Sequence, residues 1–267
     1  MSGNGRHTPA SRLVPEQRRQ LIAERLRETG SVSVAALEAE FGVSPMTARR
    51  DLRMLELGGQ ARRTHGGAVL PGLARDEDAF ASRLADAAEV KARLGRAAAA
   101  LVEDGETVFV DCSSTAFYAV KALIAAETPA TVLTPSVAVM DLIARTDAPD
   151  LELLGLAGSL RRLTRSFVGP QTVHAIRAHF ADKLLFSVKG IAPGNVMTDA
   201  NPLEAEVKRV MIERAREPVL LVDGSKFDRP GLSAIGPVSG VARVLAGDAA
   251  PEHLRSLADT GVPVQEV

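Results

Sequence analysis

The chain has one cysteine, Cys112, and no tryptophan in its 267 residues. A single cysteine excludes an intramolecular disulfide framework and fits a reducing cytoplasm, where this reading places the protein. No group of Cys and His residues has metal-site spacing, so neither a metal nor another cofactor is expected. Aromatic residues make up 3% of the chain, too few for a platform that stacks single-stranded nucleic acid. No apolar run reaches the roughly 18 residues a membrane span requires. Residues 1–11 are polar and lack the apolar stretch of a secretory signal; residues 1–13 are expected to be a disordered leader. No internal repeat and no long low-complexity tract occurs, and the Ala-rich segment at 97–100 fits a helix.

What is present is an ordinary globular composition, 46% hydrophobic and 24% charged, with a net charge of −1. That balance hides an asymmetry. Residues 1–70 hold 11 Arg, no Lys and 7 Asp plus Glu, a net of +4, which leaves −5 for the remainder. A basic module joined to an acidic body suggests that only the first part meets nucleic acid. The excess is modest, so one module alone would bind weakly and with strong salt dependence. Two modules on two half-sites, in a homodimer or homotetramer, are the expected remedy.

The segment Val43-Ser44-Pro45-Met46-Thr47-Ala48-Arg49-Arg50-Asp51-Leu52 reads as a turn and a helix. Ala48, Leu52 and Leu55 follow the spacing of a face packed on a core. Met46, Arg50 and Arg53 fall on the opposite side, flanked by Thr47 and Arg49. A short helix with a buried rear and an arginine-rich front fits the major groove, where Arg reads guanine edges or holds phosphates. By itself the pattern also describes a solvated amphipathic helix. The flanks favour DNA. A first helix over 15–27 opens on Pro15 and carries Leu21, Ile22 and Leu26, and Thr29-Gly30 stops it. A second over 34–41 has Ser33 as N-cap and Leu37 and Phe41 at i, i+4. Gly42-Val43 makes a tight turn, Ser44 caps the third helix, and Pro45 takes its first position. Gly58-Gly59 ends it, and residues 60–68 read as a β-hairpin wing whose Arg62, Arg63 and His65 reach for the DNA backbone or minor groove.

Beyond a Pro/Gly/acidic linker, apolar runs alternate with helical patterns. Strands are expected at 107–111, 131–134, 151–155, 183–188, 218–222 and 242–246, and helices at 88–102, 115–125, 137–144, 170–179 and 202–216. That alternation implies an α/β domain with a mainly parallel sheet covered on both faces, and ligands in such folds bind at the carboxyl ends of strands. The unusual residues sit at those ends. Asp111-Cys112-Ser113-Ser114-Thr115 places hydroxyls and free N–H groups around one point, which is either an anion cradle or simple helix capping. Cys112 reads as a small packed residue, since no His or Asn is placed to activate it. Ser136, in Thr134-Pro135-Ser136, is a cap or a further hydroxyl toward the same ligand. Gly158 permits close backbone approach, and Arg161 or Arg165 either neutralises a phosphate or is solvated. Asn201-Pro202-Leu203-Glu204 has the form of a capping box, which explains Glu204 as well as a ligand contact would. Lys226 is a point charge for a phosphate or a partner for Asp223.

Phe41-Gly42-Val43-Ser44, Thr47-Ala48-Arg49-Arg50-Asp51-Leu52 and Arg63-Thr64-His65-Gly66-Gly67-Ala68 resemble the winged helix-turn-helix of the DeoR family of bacterial transcriptional regulators. The second half carries the resemblance on: the Asp111–Thr115 loop, the Thr134-Pro135-Ser136 turn, the Gly-rich strand end near Gly158, Glu206-Val207-Lys208-Arg209-Val210-Met211-Ile212, and Asp223 to Phe227. The resemblance implies residues 14–70 as the DNA-binding domain, 71–80 as a linker and 81–267 as an effector-sensing domain. It also implies a fold similar to ribose-phosphate isomerases, glucosamine-phosphate deaminases and CoA transferases. The implied ligand is a phosphorylated sugar or related anion, lined by Asp111, Ser113, Ser114, Thr115, Ser136, Gly158, Arg161, Lys189, Glu204 and Lys226. Double-stranded operator DNA is the implied macromolecular partner.

Three positions depart from the family pattern. Ser113-Ser114-Thr115 stands where Gly-Thr-Thr is frequent, which keeps the loop's character. Pro135 replaces an Asn and removes an amide. Lys189-Gly190 replaces Asp-Gly and turns an acceptor into a cation, which points to a more anionic effector such as a sugar-acid phosphate or a bisphosphate, unless Lys189 points away or the sensor has lost its ligand. Two other functions compete. An isomerase or deaminase would need a general base, and Asp111 and Glu204 are the carboxylates available, with no His beside the loops. A constitutive DNA-binding structural protein would not gather so many polar residues at strand ends.

Overall fold

A computed structural model describes residues 14–29, 31–58, 60–64, 66–69, 80–227 and 230–267. The expected leader at 1–13, His65, and all but the last residue of the expected linker lie outside them. The chain divides into two compact units at Glu77/Asp78.

The first unit runs α1 (Pro15–Thr29), β1 (Ser31–Ser33), α2 (Val34–Phe41), α3 (Pro45–Leu57), β2 (Arg62–Thr64) and β3 (Gly67–Val69). Ser33 and Ser44 cap α2 and α3 by accepting from Ala36 N and Thr47 N, and Pro45 opens α3. Gly42 takes φ 62°, a left-handed conformation that a side chain would strain, and this sets the turn between the two helices. Ile22, Leu26, Leu37, Phe41, Ala48, Leu52, Leu55 and Ala68 pack into one core. The expected wing is the antiparallel pair β2–β3. A strand that the sequence did not suggest, β1, pairs with β3 on its other side, so the sheet order is β1-β3-β2.

The second unit begins with α4 (Phe80–Ala85) and α5 (Ala88–Ala99). It continues through β4 (Glu106–Val110), α6 (Ser114–Ala125), β5 (Ala130–Thr134), α7 (Val137–Arg145) and β6 (Leu151–Gly155). Next come β7 (Ser159–Arg161), β8 (Ser166–Val168), α8 (Pro170–Arg177), β9 (Ala181–Phe186), β10 (Gly190–Ala192) and β11 (Val196–Asp199). The chain closes with α9 (Pro202–Arg214), β12 (Ala215–Asp223), β13 (Ser233–Pro237), β14 (Arg243–Gly247), α10 (Pro251–Ala258) and β15 (Val264–Glu266).

Seven strands form one parallel sheet in the order β15-β14-β12-β9-β4-β5-β6. Alternation along the strands separates two cores. Val108, Val110, Val132, Leu185, Val219 and Leu221 face α5, α6 and α7. Phe109, Leu133, Leu184, Phe186, Leu220 and Val222 face α8, α9 and α10. Burial on both faces is why these strands read as continuous apolar runs. The close approach of α5 to α6 depends on Gly95, where an added Cβ would lie 2.6 Å from the Tyr118 carbonyl carbon. Starting at β4, the chain winds toward β6, crosses over through α8, and resumes at β9 on the other side of β4. The switch point therefore lies between β4 and β9, where open α/β sheets hold ligands. The sequence missed the two antiparallel additions, β7–β8 and β10-β11-β13, because their strands are short and partly polar. Among the described residues no helix is long and apolar enough to cross a membrane, and no group of His, Cys, Asp and Glu could hold a metal ion.

Candidate functional sites

On α3, Ala48, Leu52 and Leu55 are buried, while Met46, Arg49, Arg50 and Arg53 are exposed, Met46 at 79%. Ser44 and Thr47 are tied hydroxyl to hydroxyl at 3.0 Å, which orders the first turn. Pro45 stands exposed at that turn. Asp51, which sits among the arginines in sequence, is buried; its Oδ2 accepts from Arg18 Nε of α1 at 2.6 Å. The wing differs from expectation at one residue. Arg63 does not extend freely: its Nε donates to Glu56 Oε2 at 2.7 Å and its N–H to Oε1 at 2.9 Å, so the wing is fastened to the end of α3. Glu56 is held below the usual carboxylate range, chiefly by that backbone N–H and then by the Arg63 guanidinium. Arg62 lies in β2.

In the second unit, the switch point gathers most of the loop residues. Asp111, at the end of β4, is fully engaged. Its Oδ1 accepts from Ser113 N at 3.0 Å and Ser113 Oγ at 2.5 Å, and its Oδ2 accepts from Ser187 N at 3.3 Å. Lys208 Nζ lies 3.3 Å from Oδ2. Asp111 is thus a brace between the β4 and β9 loops rather than a free carboxylate. Ser113 caps α6 by accepting from Ala116 N, and Ser114 and Thr115 are buried in its first turn. Ser136 caps α7 in the same way and is fully buried. Capping therefore accounts for Ser113 and Ser136, and it leaves both helix N-termini at the strand ends.

Glu204 corrects the capping-box expectation. Asn201 does cap α9, accepting from Leu203 N at 2.9 Å. Glu204 does not turn back to it. Its Oε1 accepts from Thr164 Oγ1 at 2.8 Å and Ser166 Oγ at 2.6 Å, with Arg161 Nη1 at 3.8 Å. Two hydroxyls from the β7–β8 hairpin outcompete one backbone N–H for the buried carboxylate. Burial raises its pKa, the Asp199 charge adds to this, and Lys208 and the two hydroxyls oppose. Arg161 also donates to Thr164 Oγ1 at 3.1 Å. One turn along α9, Lys208 donates to Asp199 Oδ2 at 2.6 Å. Burial would lower the Lys208 pKa, but Asp199, Asp111 and Glu204 together raise it above the ordinary lysine value. The i, i+4 spacing of Glu204 and Lys208 was a legible signal for this second charge; Thr164, Ser166 and Asp199 had none.

Lys226 and Lys189 stand close enough to act on one another. Burial lowers the Lys226 pKa, Asp223 at 3.9 Å opposes, and Lys189, Arg83 and Lys208 lower it further. Gly158 is not brought to this cluster. An added Cβ there would meet Thr172 Oγ1 of α8 at 1.9 Å, so the glycine serves packing of the hairpin on α8. It lines a separate cleft of about 600 Å³ beside Gly155, Gln171 and His179. Arg165 is 3.8 Å from Asp141, away from Glu204. Cys112 is buried, and burial, then Glu204 and Asp111, push its thiol pKa well up, which removes it as a nucleophile.

A capped, arginine-fronted third helix with a wing, and a parallel-sheet unit with a polar switch point, match two family models. Residues 18–72 match the DeoR-like helix-turn-helix domain and residues 86–247 match the DeoR C terminal sensor domain. The chain belongs to the DeoR family. It is a transcriptional regulator with a helix-turn-helix domain and a sensor domain, and its DeoR-family relatives are named as regulators rather than enzymes. It is 31% identical to the uncharacterized HTH-type transcriptional regulator YulB of Bacillus subtilis (strain 168), over 96% of this chain and 98% of that protein. It is 32% identical to the putative aga operon transcriptional repressor of Escherichia coli O157:H7, over 93% and 92%. It is 33% identical to the HTH-type transcriptional repressor GlcR of Bacillus subtilis (strain 168), over 80% and 81%. Among solved structures, ribose 5 phosphate isomerase A from Neisseria gonorrhoeae aligns at TM-score 0.39 and 15% identity over 52% of this chain and 53% of that one, a likeness too slight to assign an activity.

Proposed function

We propose that this DeoR-family protein is a cytoplasmic repressor of a carbohydrate-metabolism operon, and that a phosphorylated sugar or sugar acid controls its hold on DNA. In this reading residues 14–70 bind DNA, 71–80 link, and 81–267 sense. Met46, Thr47, Arg49, Arg50 and Arg53 face the major groove while Ser44 and Pro45 set the helix entry. Arg62 and His65 meet the backbone or the minor groove, and Arg63 braces the wing. The observation that carries the reading is the α3 face: three exposed arginines opposite a buried apolar stripe, on a helix whose cap and wing brace are fully made. Relatives named for the aga operon and the glycerol-3-phosphate regulon support a sugar or phosphorylated-metabolite effector.

The effector reading rests on Lys189 and Lys226 at the switch point, with Ser113–Thr115 and the α6 N-terminus beside them and Glu204 and Arg161 on the hairpin side. Two lysines and a helix N-terminus suit an anion. A second anionic group on the ligand suits Lys189. DNA release on binding requires that the ligand favour one arrangement of two paired modules over another, which makes the active species a homodimer or homotetramer.

A footprint on the DNA flanking the neighbouring operon, with and without a panel of sugar phosphates and sugar-acid phosphates, tests the whole reading. Two protected half-sites spaced by one helical turn or a multiple of it, released by an acid phosphate, are expected. Protection of random DNA at equal concentration overturns the regulator's specificity. Neutral sugar monophosphates binding as well as acids, with Lys189→Asp without effect in calorimetry, overturns the effector class.

A further inference from the structure

Helix α4 is only six residues long, and contacts from α5, α6 and the β7–β8 hairpin hold it. Phe80 N donates to Leu163 O of the β7–β8 hairpin at 3.1 Å. The Phe80 ring packs edge-on against Phe117 of α6, with centroids 5.7 Å apart. Tyr118 of α6 donates from its hydroxyl to Leu84 O at 3.2 Å. The buried Lys91 of α5 donates from Nζ to Arg83 O and to Asp86 O, closing the C-terminal end of α4. These contacts set α4 against the first turns of α6, whose N-terminus carries Ser113, Ser114 and Thr115, and against the hairpin that carries Thr164 and Ser166.

Arg83 is the residue these contacts do not explain. Its guanidinium rests over the Phe80 ring at 5.7 Å. Its Nε and Nη2 atoms are buried and have no hydrogen-bond partner among the described residues. Buried guanidinium N–H groups left unpaired are costly unless an acceptor meets them, although Arg83 as a whole is only part-buried. Its neighbours worsen the balance. Its positive charge bears on Lys226, on Lys91 and on the Cys112 loop, and Lys189 adds to the same field. The acidic groups acting in this field are Asp223, itself 3.9 Å from Lys226, and Asp86; Asp111 and Glu204 are engaged by Lys208 and by the hairpin hydroxyls. The two unpaired N–H groups of a planar guanidinium match a phosphate or carboxylate edge in a way that no ammonium can.

We propose that Arg83 is an effector-contacting residue, pairing through Nε and Nη2 with an oxyanion held between it, Lys189 and Lys226, so that the ligand fixes α4, the first helix of the sensor unit. This rests on the sensor site proposed above and adds a contact from outside the strand-end loops.

Calorimetric titration of inorganic phosphate into the full-length protein at low ionic strength tests it, with hydrogen exchange over residues 80–86 as a second readout. Wild type binds phosphate and its α4 amides slow their exchange. Arg83→Gln weakens binding at least tenfold and abolishes the slowing, while its ligand-free melting temperature equals or exceeds wild type because a like charge has gone. Arg83→Lys restores part of the affinity. Arg83→Met, which keeps the stem over Phe80, is the substitute where Gln impairs folding. If Lys226→Gln loses phosphate and Arg83→Gln and Arg83→Met keep it, the Arg83 contact is wrong and the sensor site stands. If wild type binds no phosphate, or Lys226→Gln binds as wild type does, the sensor site fails and the Arg83 contact with it.

Discussion

Arg18 of α1 and Asp51 of α3 form a buried ion pair, Nε to Oδ2 at 2.6 Å, behind the face that presents Arg49, Arg50 and Arg53. Arg19 Nη1 adds a second charge 3.7 Å from Asp51 Oδ1. The pair fixes the rotation of the recognition helix about its axis, because Asp51 turned outward would leave Arg18 buried without its anion.

Asp51→Ala is therefore expected to destabilise the first unit by about 3–5 kcal/mol, since it removes one half of a buried ion pair. Arg18→Met combined with Asp51→Leu should recover most of the loss. Calorimetric unfolding of the full chain reads both; an Asp51→Ala protein with unchanged transitions contradicts the brace.

Arg50→Ala should weaken binding to the specific operator by about 1–3 kcal/mol and leave random DNA less affected. Arg62→Ala should lower affinity on all sequences and reduce the salt slope by about one. Fluorescence anisotropy across a salt series separates them. Equal loss on operator and random DNA for Arg50→Ala refutes base readout.

Glu204 titrates above its ordinary 4.5 because it is buried beside Asp199. The native carboxyl then holds its proton at pH values where the unfolded one has lost it. Stability consequently falls as pH rises from 4.5 through the native pKa, then levels. Glu204→Gln, which still accepts from Thr164 and Ser166, should abolish that decline. Urea midpoints at intervals from pH 4 to 8 check this, and parallel curves for the two proteins would show that Glu204 does not titrate abnormally.

Lys91 works in the opposite sense at high pH. Burial lowers its pKa from 10.5 to about 8, with Lys226 adding repulsion and Asp223 opposing. Between those two values the unfolded chain binds the extra proton, so stability from this group rises with pH by roughly 2–3 kcal/mol and is flat outside the window. The difference between wild-type and Lys91→Met stability curves isolates it from the Cys112 thiol, which shifts the other way. A pH-independent difference from pH 7 to 11 would rule the depressed lysine out.

Apart from α4 and α10, which the sequence reading did not place, the helices and central strands were legible because each carries its own signal. Ser44-Pro45 and Gly42 bracket the turn before α3, and the burial of both sheet faces writes β4, β5, β9 and β12 as apolar runs. What escaped is nonlocal. β1 is three residues whose partner lies more than thirty positions away in β3. Asp51 looks like one more solvated charge until Arg18 is placed beside it by folding. Glu204 completes a capping box on paper, and only the hairpin residues Thr164 and Ser166 draw it elsewhere. Arg83 sits in a helix too short to show a period, so nothing in the local pattern marks its buried, unpaired nitrogens.

The glycine at position 95 has a consequence for rigidity. It lets the α5 backbone rest directly on the α6 backbone, and main chain, unlike side chains, has no alternative rotamers into which to yield. Lys91, one turn before it, and Ser113, at the head of α6, are thereby held as two marks on a rigid gauge. Substitutions in the surrounding walls can therefore change the side chains around these two residues without changing the distance between them.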